Sequence, residues 1–256
     1  MNIQDATIVE YRLIREIVRN YNTLDYTSQL KALLSPIFPK HHFDNWCKLD
    51  FHKKINELIF KEYEGEQVLK YRLFRAFHNL PVVAAYEIKV KNSRVDFLTI
   101  EEHTTSYEIK STLDNLYKLS KQSDDYLKAF EFNNILIHER HLDKCLTIVP
   151  SNFGIITVDK AAHSVVRKPV LNKYLDPYTQ LSILTKKELN KAFASTDLQN
   201  ILTNFDAQKI NRIFKSTLKS RYQERWDFIV KHSNDILPID IQFFFNKNIK
   251  PAHIYS

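Results

Sequence analysis

Between residues 82 and 110 the apolar positions stop recurring at helical spacing and begin to alternate. That switch constrains the fold more than any other feature of the chain. Residues 82–90 alternate as a half-buried strand does. Residues 94–100 and 105–110 follow as two shorter strands, separated by polar turns at Lys91-Asn92-Ser93 and Glu101-Glu102-His103. Helical spacing surrounds this section. Ile8, Tyr11, Leu13, Ile14, Ile17 and Val18 lie on one early stripe, and a short helix over residues 27–34 stops at Ser35-Pro36. Residues 53–80 are again helical, broken near Gly65 and ended by Pro81. After the three strands a helix is expected over residues 113–130, then buried strands at 134–137 and 154–158 around a short helical piece. The order α-β-β-β-α-β-α-β describes an α/β fold, a mixed sheet with helices against it. From residue 176 the pattern returns to helix. Its clearest stretch, residues 206–230, carries Ile210, Phe214, Leu218, Tyr222, Trp226 and Ile229 as an apolar stripe. Three sections result: a helical extension over 1–56, a mixed core over 57–170 and a helical region over 171–256.

Composition removes several classes of function. Gly65 and Gly154 are the only two glycines in 256 residues, which excludes the Gly-rich phosphate loops of P-loop nucleotide hydrolysis. Two cysteines suit a reduced compartment rather than a disulfide framework, and no apolar run approaches the roughly 20 residues of a membrane span. A cytoplasmic protein without a membrane partner is expected. The formal charge of +7 favours an anionic partner such as nucleic acid.

Polar groups interrupt the strand section where apolar ones belong. Glu108 and Lys110 share one face of their strand, and Asp96 lies on its neighbour. Carboxylates on adjacent strands suit a hard divalent cation that keeps several waters, and an adjacent lysine can stabilise developing phosphate charge. The competing reading is a solvent-facing cross-strand ion pair.

Asp96 followed by Glu108-Ile109-Lys110-Ser111 resembles the core motif of the PD-(D/E)XK nuclease superfamily, and the expected element order is similar to its restriction-endonuclease-like core. Glu66 falls on the first core helix, where many members carry a further active-site glutamate. Gln122 and Tyr126 resemble the Gln-x-x-x-Tyr element of the exonuclease-like and RecB-like branches. The proline that names the superfamily is absent, since Val95 precedes Asp96. The likeness covers about residues 57–160. It implies a metal-dependent DNA phosphodiesterase. Glu66, Asp96 and Glu108 would hold Mg²⁺ or Mn²⁺, Asp96, Glu108 and Lys110 would be catalytic, and Gln122 and Tyr126 would support them. A module that keeps the fold without turnover is the alternative it leaves open.

Two further features bear on partners. Lys209, Arg212, Lys215 and Lys219 lie on or towards the polar side of the 206–230 helix and are read either as a DNA-backbone contact or as a solvated face. His138, His141 and Cys145 have spacing that zinc accepts, but no second cluster supplies a clean fourth ligand. Oligomeric state is not legible in the sequence, and a homodimer is compatible with it.

Overall fold

The computed structural model describes residues 11–63, 65–159 and 163–256. Three helices come first: α1 (Tyr11–Asn20), α2 (Thr27–Leu34) and α3 (Lys48–Glu62). Ile14, Ile17, Leu30, Leu34, Phe51 and Ile55 bury their inner faces against one another. Helix α3 begins five residues before its expected start, because the Asp50 carboxylate accepts the Cys47 N–H and caps its first turn. Ile8, expected on the first stripe, lies outside the described residues.

Helix α4 (Glu66–Phe77) starts at Gly65 and leads into β1 (Val83–Val90), β2 (Ser93–Ile100) and β3 (Thr104–Lys110), an antiparallel meander. Helix α5 (Leu119–Leu127) then crosses to β4 (Phe132–His138), which runs parallel to β3. A 3-10 turn and α6 (Leu142–Ile148) connect to β5 (Gly154–Val158), parallel to β4. β6 (His163–Arg167) closes the order β1-β2-β3-β4-β5-β6 in a six-stranded mixed sheet. The protein is therefore α/β, with helices flanking one mixed sheet.

The expected helix over 113–130 is the largest boundary correction. Asp114 accepts from both the backbone N–H and the hydroxyl of Ser111, and the Asn115 side chain accepts the Tyr117 N–H. These local bonds offer the backbone an alternative to helix, so α5 begins only at Leu119. β6 was not anticipated at all. Four of its five residues are exposed, which leaves no burial alternation to read.

Helices α7 (Pro177–Ile183), α8 (Lys186–Phe193) and α9 (Leu198–Asn204) lead to the long α10 (Ala207–Lys231), followed by α11 (Ile241–Lys247) and α12 (Pro251–Tyr255). Helix α10 packs against β1 and buries Ile210, Phe214, Leu218, Trp226 and Ile229. Trp226 meets Phe74 and Phe97 edge-on, so it is a core residue. Among the described residues, no helix is long and apolar enough to cross a membrane.

Candidate active site

The strand registers put the polar residues in line. In the β1–β2 pairing Tyr86 faces Phe97 and Ile88 faces Val95, so Glu87 stands opposite Asp96. Continued past Phe97–Tyr107, the β2–β3 register sets Asp96 level with Glu108. There the Asp96 carboxylate itself accepts the Ile109 N–H at 2.7 Å. Glu87 breaks the ordinary strand conformation, with φ at 58°. Helix α4 supplies Glu66 from its first turn and Lys70 one turn later.

Two groupings result. In the first, carboxylate oxygens of Glu66, Glu87 and Asp96 all lie within 4.8 Å of one another. The ammonium of Lys70, whose side chain is only 3% exposed, pairs with Glu66 at 2.5 Å and also with Glu87. Its remaining contact is the Gln242 side-chain oxygen at 2.8 Å, on α11. In the second, Glu108 is 2% exposed and accepts three hydrogen bonds: from Lys110 at 2.6 Å, from the Gln122 amide at 2.5 Å and from the Tyr126 hydroxyl at 2.6 Å. A carboxylate has about four lone-pair positions, so one acceptor site remains on the oxygen that Tyr126 bonds. The same hydroxyl lies 2.8 Å from the Arg94 carbonyl, so its single proton is shared between the two acceptors.

Electrostatics follow from burial. Asp96 is raised well above the usual carboxylate range by desolvation, then by the Glu108 and Glu66 charges; Lys70 and the Ile109 N–H oppose this. Glu108 is raised by burial and held down by Lys110, Tyr126 and Gln122. For Lys110, burial favours the neutral amine, but Glu108, Asp96 and Asp114 outweigh it and the net shift is upward. Lys110 is therefore a cation at neutral pH. Tyr126 is raised by burial and by Glu108, so its phenol stays protonated and donates.

The expected residues Glu66, Asp96, Glu108, Lys110, Gln122 and Tyr126 thus meet in one region, but the converging carboxylate set is redrawn. Glu87 joins Glu66 and Asp96 in the close group, while the Glu108 oxygens face three donors. Sequence reasoning missed Glu87 and Lys70. Glu87 has the position of the outward member of an alternating strand, and Lys70, four residues after Glu66, has the spacing of an ordinary helix ion pair. The available signal was an acid in a strand whose other charged residue is Lys89.

The basic helix is also redrawn. Lys215 donates to the Glu131 carboxylate at 2.9 Å and to the Glu102 carbonyl at 2.6 Å, which makes it a structural tie. Lys209 lies over the Phe205 ring at 4.6 Å, while Arg212 and Lys219 are exposed. Burial raises the Cys145 thiol to about 11, and no His138–His141–Cys145 ligand group forms among the described residues.

Residues 60–244, which include every residue of this site, match the family model for Bacteriophage P4 protein cII. The chain belongs to that family. No curated protein matches this member of the P4 cII family. Among solved structures it is similar to the SPO1766 protein of unknown function from Silicibacter pomeroyi. That likeness has 19% identity and a TM-score of 0.34, covering 57% of this chain and 93% of the other.

Proposed function

We propose that this P4 cII family member is a metal-dependent phosphodiesterase acting on DNA, built on a restriction-endonuclease-like core. The observation that carries the proposal is the convergence of Glu66, Glu87 and Asp96 beside the buried Lys110–Glu108 pair. The sequence α4-β1-β2-β3-α5-β4, with β3 and β4 parallel, supports the core assignment.

The donor set fits Mg²⁺ or Mn²⁺. All the ligands are hard carboxylate oxygens, as these ions prefer. Fully ionised, Glu66, Glu87, Asp96 and Glu108 carry four negative charges against the three positive charges of Lys70, Lys110 and Arg94, so the cluster stays net negative and attracts a cation. Glu66, Glu87 and Asp96 would hold the ion. When bound, it supplies a water of lowered pKa and neutralises charge on phosphoryl oxygens.

The chain's own groups do the remaining work. Lys110 is a cation and acts on charge, not as a base: its ammonium stabilises the oxygens of the phosphate as negative charge builds. Gln122 and Tyr126 fix the Glu108 carboxylate, which in turn holds the ammonium in place.

One observation favours a second reading, a DNA-binding module without turnover. Lys70 already pairs with both Glu66 and Glu87, as in a purely structural ion-pair cluster. The test is incubation of the purified protein with linear, nicked, branched and single-stranded DNA in Mg²⁺ or Mn²⁺. Products that vanish with chelator and in Asp96→Asn are expected. Their absence on every substrate would leave the silent module.

A further inference from the structure

The carboxylate row continues into a cationic one. One pleat towards the β1–β2 turn, about 7 Å along the strands, Lys89 is paired directly with Arg94. The continued β2–β3 register sets Arg94 level with Lys110. Arg94 shares the face of the carboxylates, since its guanidinium reaches Glu87 at 3.4 Å while its side chain remains 64% exposed. Lys89 and Lys91 are exposed, with Ile88 and Val90 buried between and beside them.

Two features of this hairpin cost stability. Like charges directly opposite on neighbouring strands repel, and Lys89–Arg94 is such a pair. Lys91 opens the two-residue turn with φ at 53°, a left-handed conformation that glycine takes without steric cost and lysine does not. A chain that keeps cations at both positions holds unfavourable local choices at the rim of a candidate site, and a polyanion would relieve the repulsion.

We propose that the β1–β2 hairpin is the DNA-backbone clamp of this site, with Lys89, Lys91 and Arg94 holding phosphates next to the one that reaches Lys110. This rests on the phosphodiesterase reading for the identity of the bound strand. It differs from the α10 contact expected from sequence, where Lys215 is already tied to Glu131.

The test is the salt dependence of binding to a fluorescent single-stranded and duplex DNA, measured in chelator so that no cleavage intervenes. Each phosphate contact contributes roughly 0.7 to 0.9 to the slope of log affinity against log salt. Changing Lys89, Lys91 and Arg94 together to Gln should weaken binding about tenfold or more at low salt and flatten the slope by roughly two. Lys89→Arg with Lys91→Arg should retain the slope, because charge is kept. Lys91→Gly should raise Tm yet lower the slope by about one contact. A triple variant that melts like wild type and keeps its slope would overturn the clamp. So would a wild type with no salt-dependent binding, or a loss confined to Lys209→Gln/Arg212→Gln/Lys219→Gln. Wild-type cleavage in Mg²⁺ is read separately: no products there would overturn the phosphodiesterase reading and leave the binding result standing.

Discussion

At the scale of single residues, Glu87 is held in a conformation that costs an L-amino acid about 1–2 kcal/mol, and it is held there between Lys70 and Arg94. Such strain persists only where the surroundings over-determine it, and it aims the carboxylate at Glu66 and Asp96. Glu87→Gln is therefore expected to weaken Mn²⁺ binding in calorimetry more than Glu108→Gln does, because Glu108 spends three acceptor positions on protein donors. Equal losses would return Glu108 to the ligand set. Spacing alone revealed the alignment of Glu108 with Lys110, because side chains in a strand alternate. Glu87 escaped because its alternation with Tyr86 and Ile88 reads the same whether its carboxylate meets solvent or converges on Glu66 and Asp96. The sign of the Lys110 shift also needed structure, since burial and the neighbouring carboxylates oppose one another.

At the scale of elements, β1, β2, β3, β4 and β5 were legible because their burial alternates or is continuous, whereas the exposed β6 offered no pattern. The stripe of α10 was legible too, but the partner of its polar side was not: Lys215 reaches a carboxylate 84 residues away. Glu131 is held below the usual carboxylate range. Burial works against this, but Lys215, the Thr104 N–H, Asn211 and His103 outweigh it. Lys215→Ala should therefore destabilise the fold by roughly 1–3 kcal/mol, the scale of a lost hydrogen bond to a buried charged group. Urea unfolding measures it. DNA affinity, in contrast, should change little; a stable Lys215→Ala protein with weakened DNA binding would restore the lysine to the interface.

At the scale of the molecule, one buried carboxylate ties the N-terminal helices to the C-terminal end. Asp240 is 1% exposed and accepts from Thr23 and Tyr21 at 2.8 and 3.0 Å and from Tyr255 at 2.8 Å, while Asn56 accepts the neighbouring Ile239 N–H at 2.9 Å. Burial raises Asp240 from its ordinary 3.8 to about 6, despite the hydrogen bonds of Thr23, Tyr255, Tyr21 and Asn56. The folded state thus keeps a proton that the unfolded chain has lost between these values. This contribution falls as pH rises from about 4 to about 6 and is flat above, a change of about 3 kcal/mol. Thermal melts across that range should show the stability of wild type relative to Asp240→Asn falling as pH rises, and parallel curves would show that Asp240 does not titrate there. Nothing in the local sequence marks Asp240, because its partners lie as far away as residue 21.

The same whole-molecule view makes Lys110 the sharpest probe of function, since helix α5, strand β3 and Glu108 together hold its ammonium in place. The deciding measurement is DNA cleavage in Mg²⁺ by wild type and Lys110→Ala, with binding measured in parallel. The account predicts a loss on the order of a hundredfold in rate, nearly unchanged binding and poor rescue by Lys110→Arg, whose planar fork does not reproduce a compact ammonium. A Lys110→Ala protein that cuts at the wild-type rate would contradict it.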